Sequence, residues 1–94
     1  MAHVPQALLA LGKIVGAGCD VTVATRENLQ VPEHTHPTTN YVTVTEGVLY
    51  LTLDGVERPV VPGDWCCIPA GAPHAERFVD KTSVVVFWVK PAAM

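Results

Sequence analysis

The chain has no run of like charge, no cysteine pattern that pairs off, no internal repeat and no apolar stretch long enough to cross a bilayer. Each absence removes a class of protein. Six basic and nine acidic residues, dispersed along 94 positions, leave a formal charge of -3 and no basic patch, so nucleic acid is not an expected partner. Cys19, Cys66 and Cys67 cannot all pair within the chain, and neighbours such as Cys66 and Cys67 bridge only with strained geometry. That argues against a disulfide scaffold and for a reducing cytoplasm. The apolar segment from Ala7 to Val15 is broken by Gly12 and Lys13, is too short to span a membrane, and lacks the basic start and polar flank of a secretory signal. A soluble, cytoplasmic protein with no membrane partner is the expectation.

What is present points to a small β domain. Apolar residues make up 49% of the chain, and seven glycines with eight prolines suit a compact fold rich in turns better than a disordered one. Residues 1–18 read as an amphipathic or irregular lead-in, with Pro5 near a possible helix start and Gly16 and Gly18 ending it; residues 19–94 read as the β domain. Val21 to Thr25 alternates, Asn28 to Pro32 is expected to turn the chain, and a strand carrying His34 and His36 follows. Tyr41 to Thr45 and Val48 to Leu53 flank Glu46-Gly47 and predict a hairpin in which Val44 pairs with Leu49 and Val42 with Leu51. Turns are expected at Asp54-Gly55, at Pro62-Gly63-Asp64 and over 69–73. Short strands lie between them, and a nearly continuous apolar strand from Ser83 to Val89 suggests burial on both faces. About eight or nine short strands at this spacing indicate a sandwich or closed barrel.

Three of the four histidines fall where they can converge. On a strand, His34 and His36 point to the same face with Cα atoms roughly 6.6 Å apart, a separation that lets two imidazoles meet one ion. His74 is the only strong candidate for a third ligand, while His3 reads as a solvated terminal residue. Parity along the expected hairpin places Val42, Val44, Leu49, Leu51 and Leu53 in the same interior and turns Tyr41, Thr43, Thr45 and Tyr50 outward.

These residues resemble the cupin family. In the family's first motif two histidines separated by one residue are followed by a glutamate and then a glycine; His34, His36, Asn40 and Gly47 fill those places. The second motif is matched by Gly63, Pro69, Gly71 and His74, and the fifteen residues between Gly47 and Gly63 equal the family's short inter-motif spacing. The resemblance implies an all-β, conical jelly-roll barrel holding one divalent transition metal ion, whether iron, zinc, nickel, copper or manganese, through His34, His36, His74 and the residue at Asn40. It does not imply one reaction.

Three departures stand out. Asn28 replaces a glycine that usually opens the first motif, a change asparagine's tolerance of left-handed geometry accommodates. Asn40 replaces the usual glutamate, either ligating through its carbonyl oxygen or bonding a metal-bound water. A neutral site leaves the ion its full double charge, which favours anionic substrates and weakens retention of hard ions. Phe78 replaces the asparagine that usually closes the second motif.

Glu76, two residues beyond His74, shares that histidine's face. It is the candidate catalytic residue, as general base or as a substitute ligand; otherwise it reaches solvent or pairs with Arg77 or Arg58. Cys66 and Cys67 alternate, so only one faces the interior, where inert packing is the commoner role for a thiol. Trp65, Phe78, Phe87 and Trp88 read as core or interface residues. The expected function is a small metalloenzyme, dioxygenase-like or isomerase/cyclase-like, acting on a small, partly apolar substrate such as a diketone or aromatic acid. The alternative is a non-catalytic cupin that binds or senses a small ligand. A domain this small, apolar on both strand faces, is expected to form a homodimer.

Overall fold

A computed structural model describes residues 13–91. The expected helix start near Pro5 and the terminal His3 lie outside the described residues. Nine strands follow in order: β1 (Lys13–Ile14), β2 (Cys19–Arg26), β3 (Leu29–His34), β4 (Thr39–Glu46), β5 (Leu49–Leu53), β6 (Val56–Val60), β7 (Trp65–Ile68), β8 (His74–Phe78) and β9 (Thr82–Val89). They form two antiparallel sheets, β1-β2-β9-β4-β7 and β3-β8-β5-β6, packed face to face. From β2 onward the chain passes from one sheet to the other at every connection except β5 to β6, which is the jelly-roll pattern expected from the sequence.

The core is the layer between the sheets. Val42, Val44 and Val84 from the five-stranded sheet meet Leu49, Leu51, Val60 and Phe78 from the four-stranded one. The apolar strand β9 is central, paired on one side with β2 and on the other with β4, and it is buried on both faces: Val84 enters the core while Val85, pointing the other way, is 1% exposed. Prolines obey the sheet geometry: Pro32 lies at a register shift on the edge strand β3 and Pro59 lies on the edge strand β6, where a missing N–H breaks no ladder.

The turn at Asp54-Gly55 forms as expected, with positive φ at both residues (54° and 75°), the geometry of a tight hairpin between β5 and β6. The hairpin expected at Glu46-Gly47 does not form. Strand β4 pairs with β7 and β9, whereas β5 pairs with β6 and β8, so the two strands lie in opposite sheets. Gly47, at φ 78°, carries the chain across the sandwich instead, pressed against the Lys81 carbonyl and Thr82 so closely that a Cβ there would collide with both. The buried Thr82 hydroxyl holds the crossing: it accepts from the Val48 N–H at 3.3 Å and lies within donating distance of the carbonyls of Val48 (3.1 Å) and Asp80 (2.9 Å). The facing of Val42 and Val44 toward Leu49 and Leu51 survives this correction, because facing sheets share an interior just as paired strands share a face.

Two further expectations are corrected. Leu29 to Pro32 belongs to strand β3 and not to a turn; the turn is confined to Asn28, whose φ of 48° is the left-handed geometry that asparagine tolerates. Within the lead-in, Lys13 and Ile14 form β1, opposite Thr22 and Val21 at the sheet edge. Lys90 fastens this region, with its ammonium 3.0 Å from an Asp20 oxygen and 2.7 Å from the Gly16 carbonyl.

Candidate metal centre

His34 and His74 are register partners across β3 and β8, so their rings start side by side, with centroids 4.2 Å apart. His36 reaches the same point by another route. It lies just past the end of β3, not on the strand as expected, and its carbonyl accepts a hydrogen bond from the Gly71 N–H at 2.9 Å. Gly71 sits in the corner over 69–73, with φ 77°, and the same corner delivers His74. One backbone hydrogen bond therefore joins the two histidine-bearing segments. The His36 ring stands 5.3 Å from that of His34 and 4.6 Å from that of His74, and one ligand nitrogen from each of the three lies within 4.8 Å of the others.

The ring nitrogens are oriented from behind. His34 Nδ1 lies 2.8 Å from the Pro32 carbonyl and His74 Nδ1 lies 2.9 Å from the Ala72 carbonyl. A carbonyl only accepts, so each Nδ1 carries the proton and each Nε2 presents a lone pair. His74 Nε2 and His36 Nδ1 are buried without a hydrogen-bond partner among the described residues. Buried polar atoms in native proteins are satisfied. A divalent ion is the partner that three neutral imidazoles with inward lone pairs fit, and such anchoring of the outer nitrogen is the usual support for a ligating histidine. The His36 pKa is lowered below its ordinary 6.5, first by burial, then by the positive charge that protonated His74 or His34 would place beside it, while a backbone contact with Thr38 acts in the opposite sense. A lowered pKa keeps the ring in its ligating form.

His34 and His36, with His74 buried behind them, open into a cavity of about 490 Å³ between the sheets, whose walls include Val31, Val42, Leu49, Ile68, Phe78 and Val86. Asn40, 2% exposed, is in the wall, and its side-chain oxygen accepts a hydrogen bond from the Thr38 hydroxyl at 2.7 Å. Glu76 also lines this cavity, with Oε1 3.8 Å from His74 Nε2. It pairs with neither arginine expected: Arg77 is held by Glu57 at 2.6 Å with its guanidinium over the Tyr50 ring, on the outer face, and Arg58 has no ion pair among the described residues.

Other sequence expectations fall elsewhere. Leu51 and Leu53 line a second cavity of about 460 Å³ beside β6 and β7, together with Cys66, while register sets Leu53 opposite His74 and Leu51 opposite Glu76, so the leucine row runs alongside the histidine-bearing strand as expected. Cys66 faces inward and Cys67 is exposed. Burial, with the Glu76 carboxylate and Cys67 adding to it, pushes the Cys66 thiol up to about 11, so it is protonated and inert at neutral pH. Trp88, read as core, is a wall of the histidine cavity. Its ring centroid lies 5.1 Å from that of His36, and its indole N–H donates to the Thr22 hydroxyl at 2.8 Å. Its signal was parity along β9, legible only once Trp88 is known to oppose Asn40. Lys13 lines the same cavity and was hidden in the lead-in for the same reason.

A double-sheet jelly roll with three inward histidines defines a β-sandwich protein of metal-binding type. The family model for the cupin domain matches residues 20–90, and the chain belongs to that family. It is similar to quercetin 2,3-dioxygenase from Bacillus subtilis, 39% identical over 61 residues, a match covering 63% of this chain and 18% of that protein. The chain thus aligns with less than a fifth of that relative. Among solved structures it resembles a conserved protein of unknown function from Streptococcus pyogenes (TM-score 0.77, 28% identity, 86% of this chain and 73% of that one). A cupin superfamily protein from Desulfitobacterium hafniense shares the fold at TM-score 0.76 and 15% identity, over 83% of this chain and 72% of that one.

Proposed function

We propose that the protein is a metal-dependent cupin enzyme in which His34, His36 and His74 hold one divalent transition ion at the end of the 490 Å³ cavity. The observation that carries this reading is the pair of buried, unpartnered ring nitrogens on His36 and His74, both at the point where three imidazoles meet. When bound, such an ion is a Lewis acid with positions free for substrate or dioxygen. The chain's own residues supply the rest. Valine, leucine and phenylalanine side chains around the cavity exclude water and select a small, partly apolar substrate. Trp88, fixed by its bond to Thr22, gives that substrate a flat wall beside His36. Glu76 is the carboxylate in the cavity able to take a proton from a bound substrate. Similarity to a quercetin dioxygenase over 61 residues supports an oxygenase class, and not a particular substrate.

Metal analysis of protein purified without tag or chelator tests the reading. About one transition ion per chain is expected, and none in His74→Ala. Full occupancy in that variant would refute the assignment. An ion bound without turnover of any small diketone or aromatic acid would move the protein to the ligand-binding, non-catalytic class.

A further inference from the structure

Resting on the three-histidine reading, we propose that Glu76 is a fourth protein ligand, supplying from β8 the carboxylate that the sequence lacks at Asn40. His74 and Glu76 occupy one face of the same strand, in the relation that places two ligands on one ion. Oε1 of Glu76 lies 3.8 Å from the buried, unpartnered Nε2 of His74. Two donors on one ion at about 2.1 Å stand about 3.0–3.4 Å apart in octahedral or tetrahedral geometry. Toward His74 the carboxylate therefore has less than 1 Å to close, and a side-chain rotation must bring it to the point where the three histidine nitrogens gather within 4.8 Å of one another.

The surroundings of Glu76 point the same way. Its register neighbours across the four-stranded sheet are Val31 and Leu51, both inward and apolar. Its side chain is only 24% exposed, and among the described residues no arginine or lysine pairs with it. A largely buried carboxylate without a cation is costly unless something positive sits beside it. The ion is that cation. Asn40 is the weaker donor by comparison, a neutral amide whose oxygen already accepts the Thr38 hydroxyl. A His34, His36, His74 and Glu76 set lowers the net charge of the bound ion by one unit. It shifts preference toward harder divalent ions, reversing the expectation drawn from Asn40 alone. With one carboxylate oxygen on the ion, the other stays available to a substrate proton.

Cobalt(II) titration of the metal-free protein, read by affinity and by the visible ligand-field spectrum, tests the assignment without any activity. Glu76→Gln is expected to weaken cobalt binding about 10–100-fold or more and to change the spectrum. Adding Asn40→Glu to that variant is expected to recover most of the affinity by returning a carboxylate to the site. Wild-type affinity and spectrum in Glu76→Gln would overturn the proposal. If Glu76→Gln proves unstable, Glu76→Asp is the second variant: its shortened reach predicts weakened binding and an altered spectrum, and unchanged values would equally overturn it. Failure of the underlying reading looks different, since the wild-type protein would then bind no cobalt at all.

Discussion

At the residue scale the electrostatics of the site reduce to a competition between protons and a metal for the same nitrogens. His36 has a lowered pKa because burial and two neighbouring imidazoles disfavour its charged form. The unfolded chain keeps the ordinary value, so below about pH 6.5 it takes up a proton that the folded protein refuses. Stability from this group is therefore fully present above about pH 6.5 and declines as pH falls toward the lowered folded value. Thermal melts of metal-free protein should be level above that pH and fall beneath it, with a shallower fall in His36→Asn. Equal slopes in the two proteins would remove His36 as the cause. Metal retention should weaken over the same range, because all three ligands must be neutral to bind.

Among the elements, the crossing between β4 and β5 is the place where one residue decides the topology. Gly47 and Gly55 both adopt positive φ, but only Gly47 is crowded: an added Cβ meets Lys81 and Thr82 there, and open space at Gly55. Left-handed backbone alone costs a residue with a Cβ about 1–2 kcal/mol. Gly55→Ala should lose about that much. Gly47→Ala should lose clearly more, lowering the melting temperature by roughly 10 °C or beyond, since about 1 kcal/mol corresponds to 4–8 °C in a domain of this size. Equal losses in the two variants would show that the contact with the β8–β9 connection does not restrain the crossing.

For the molecule as a whole, the outer face of the five-stranded sheet presents exposed aromatic side chains. Register places Tyr41, Thr43, Trp65, Val85 and Phe87 together on that face, with Thr43 and Val85 already buried and the aromatics around them more open. Tyr41 and Trp65 are 45% and 49% exposed, and Trp65 packs against Phe87 at 5.8 Å between ring centroids. A small domain gains by covering such a surface, and a second copy is the simplest cover. A homodimer is expected in sedimentation at micromolar concentration, shifting toward monomer in Trp65→Lys. A monomer throughout the range would rule this out. Among the described residues no helix is long and apolar enough to cross a membrane.

The amino-acid sequence by itself determined the all-β class, the strands β2 to β9 in approximate extent, and the convergence of His34, His36 and His74, but not β1. Each of these rests on local alternation, turn chemistry and motif spacing, which a linear chain displays directly. It also placed Asp54-Gly55 in a hairpin turn, because two consecutive residues at positive φ are a local demand. Only tertiary structure decided which strands pair. Glu46-Gly47 has the local look of a hairpin, yet hydrogen bonding to β7 and β9 claims both edges of β4 and sends β5 to the other sheet. The same long-range pairing brought Trp88 opposite Asn40 and turned Lys13 toward the cavity. Which residues share an interior depends on sheet partners far apart in the chain, and no local period encodes that partnership.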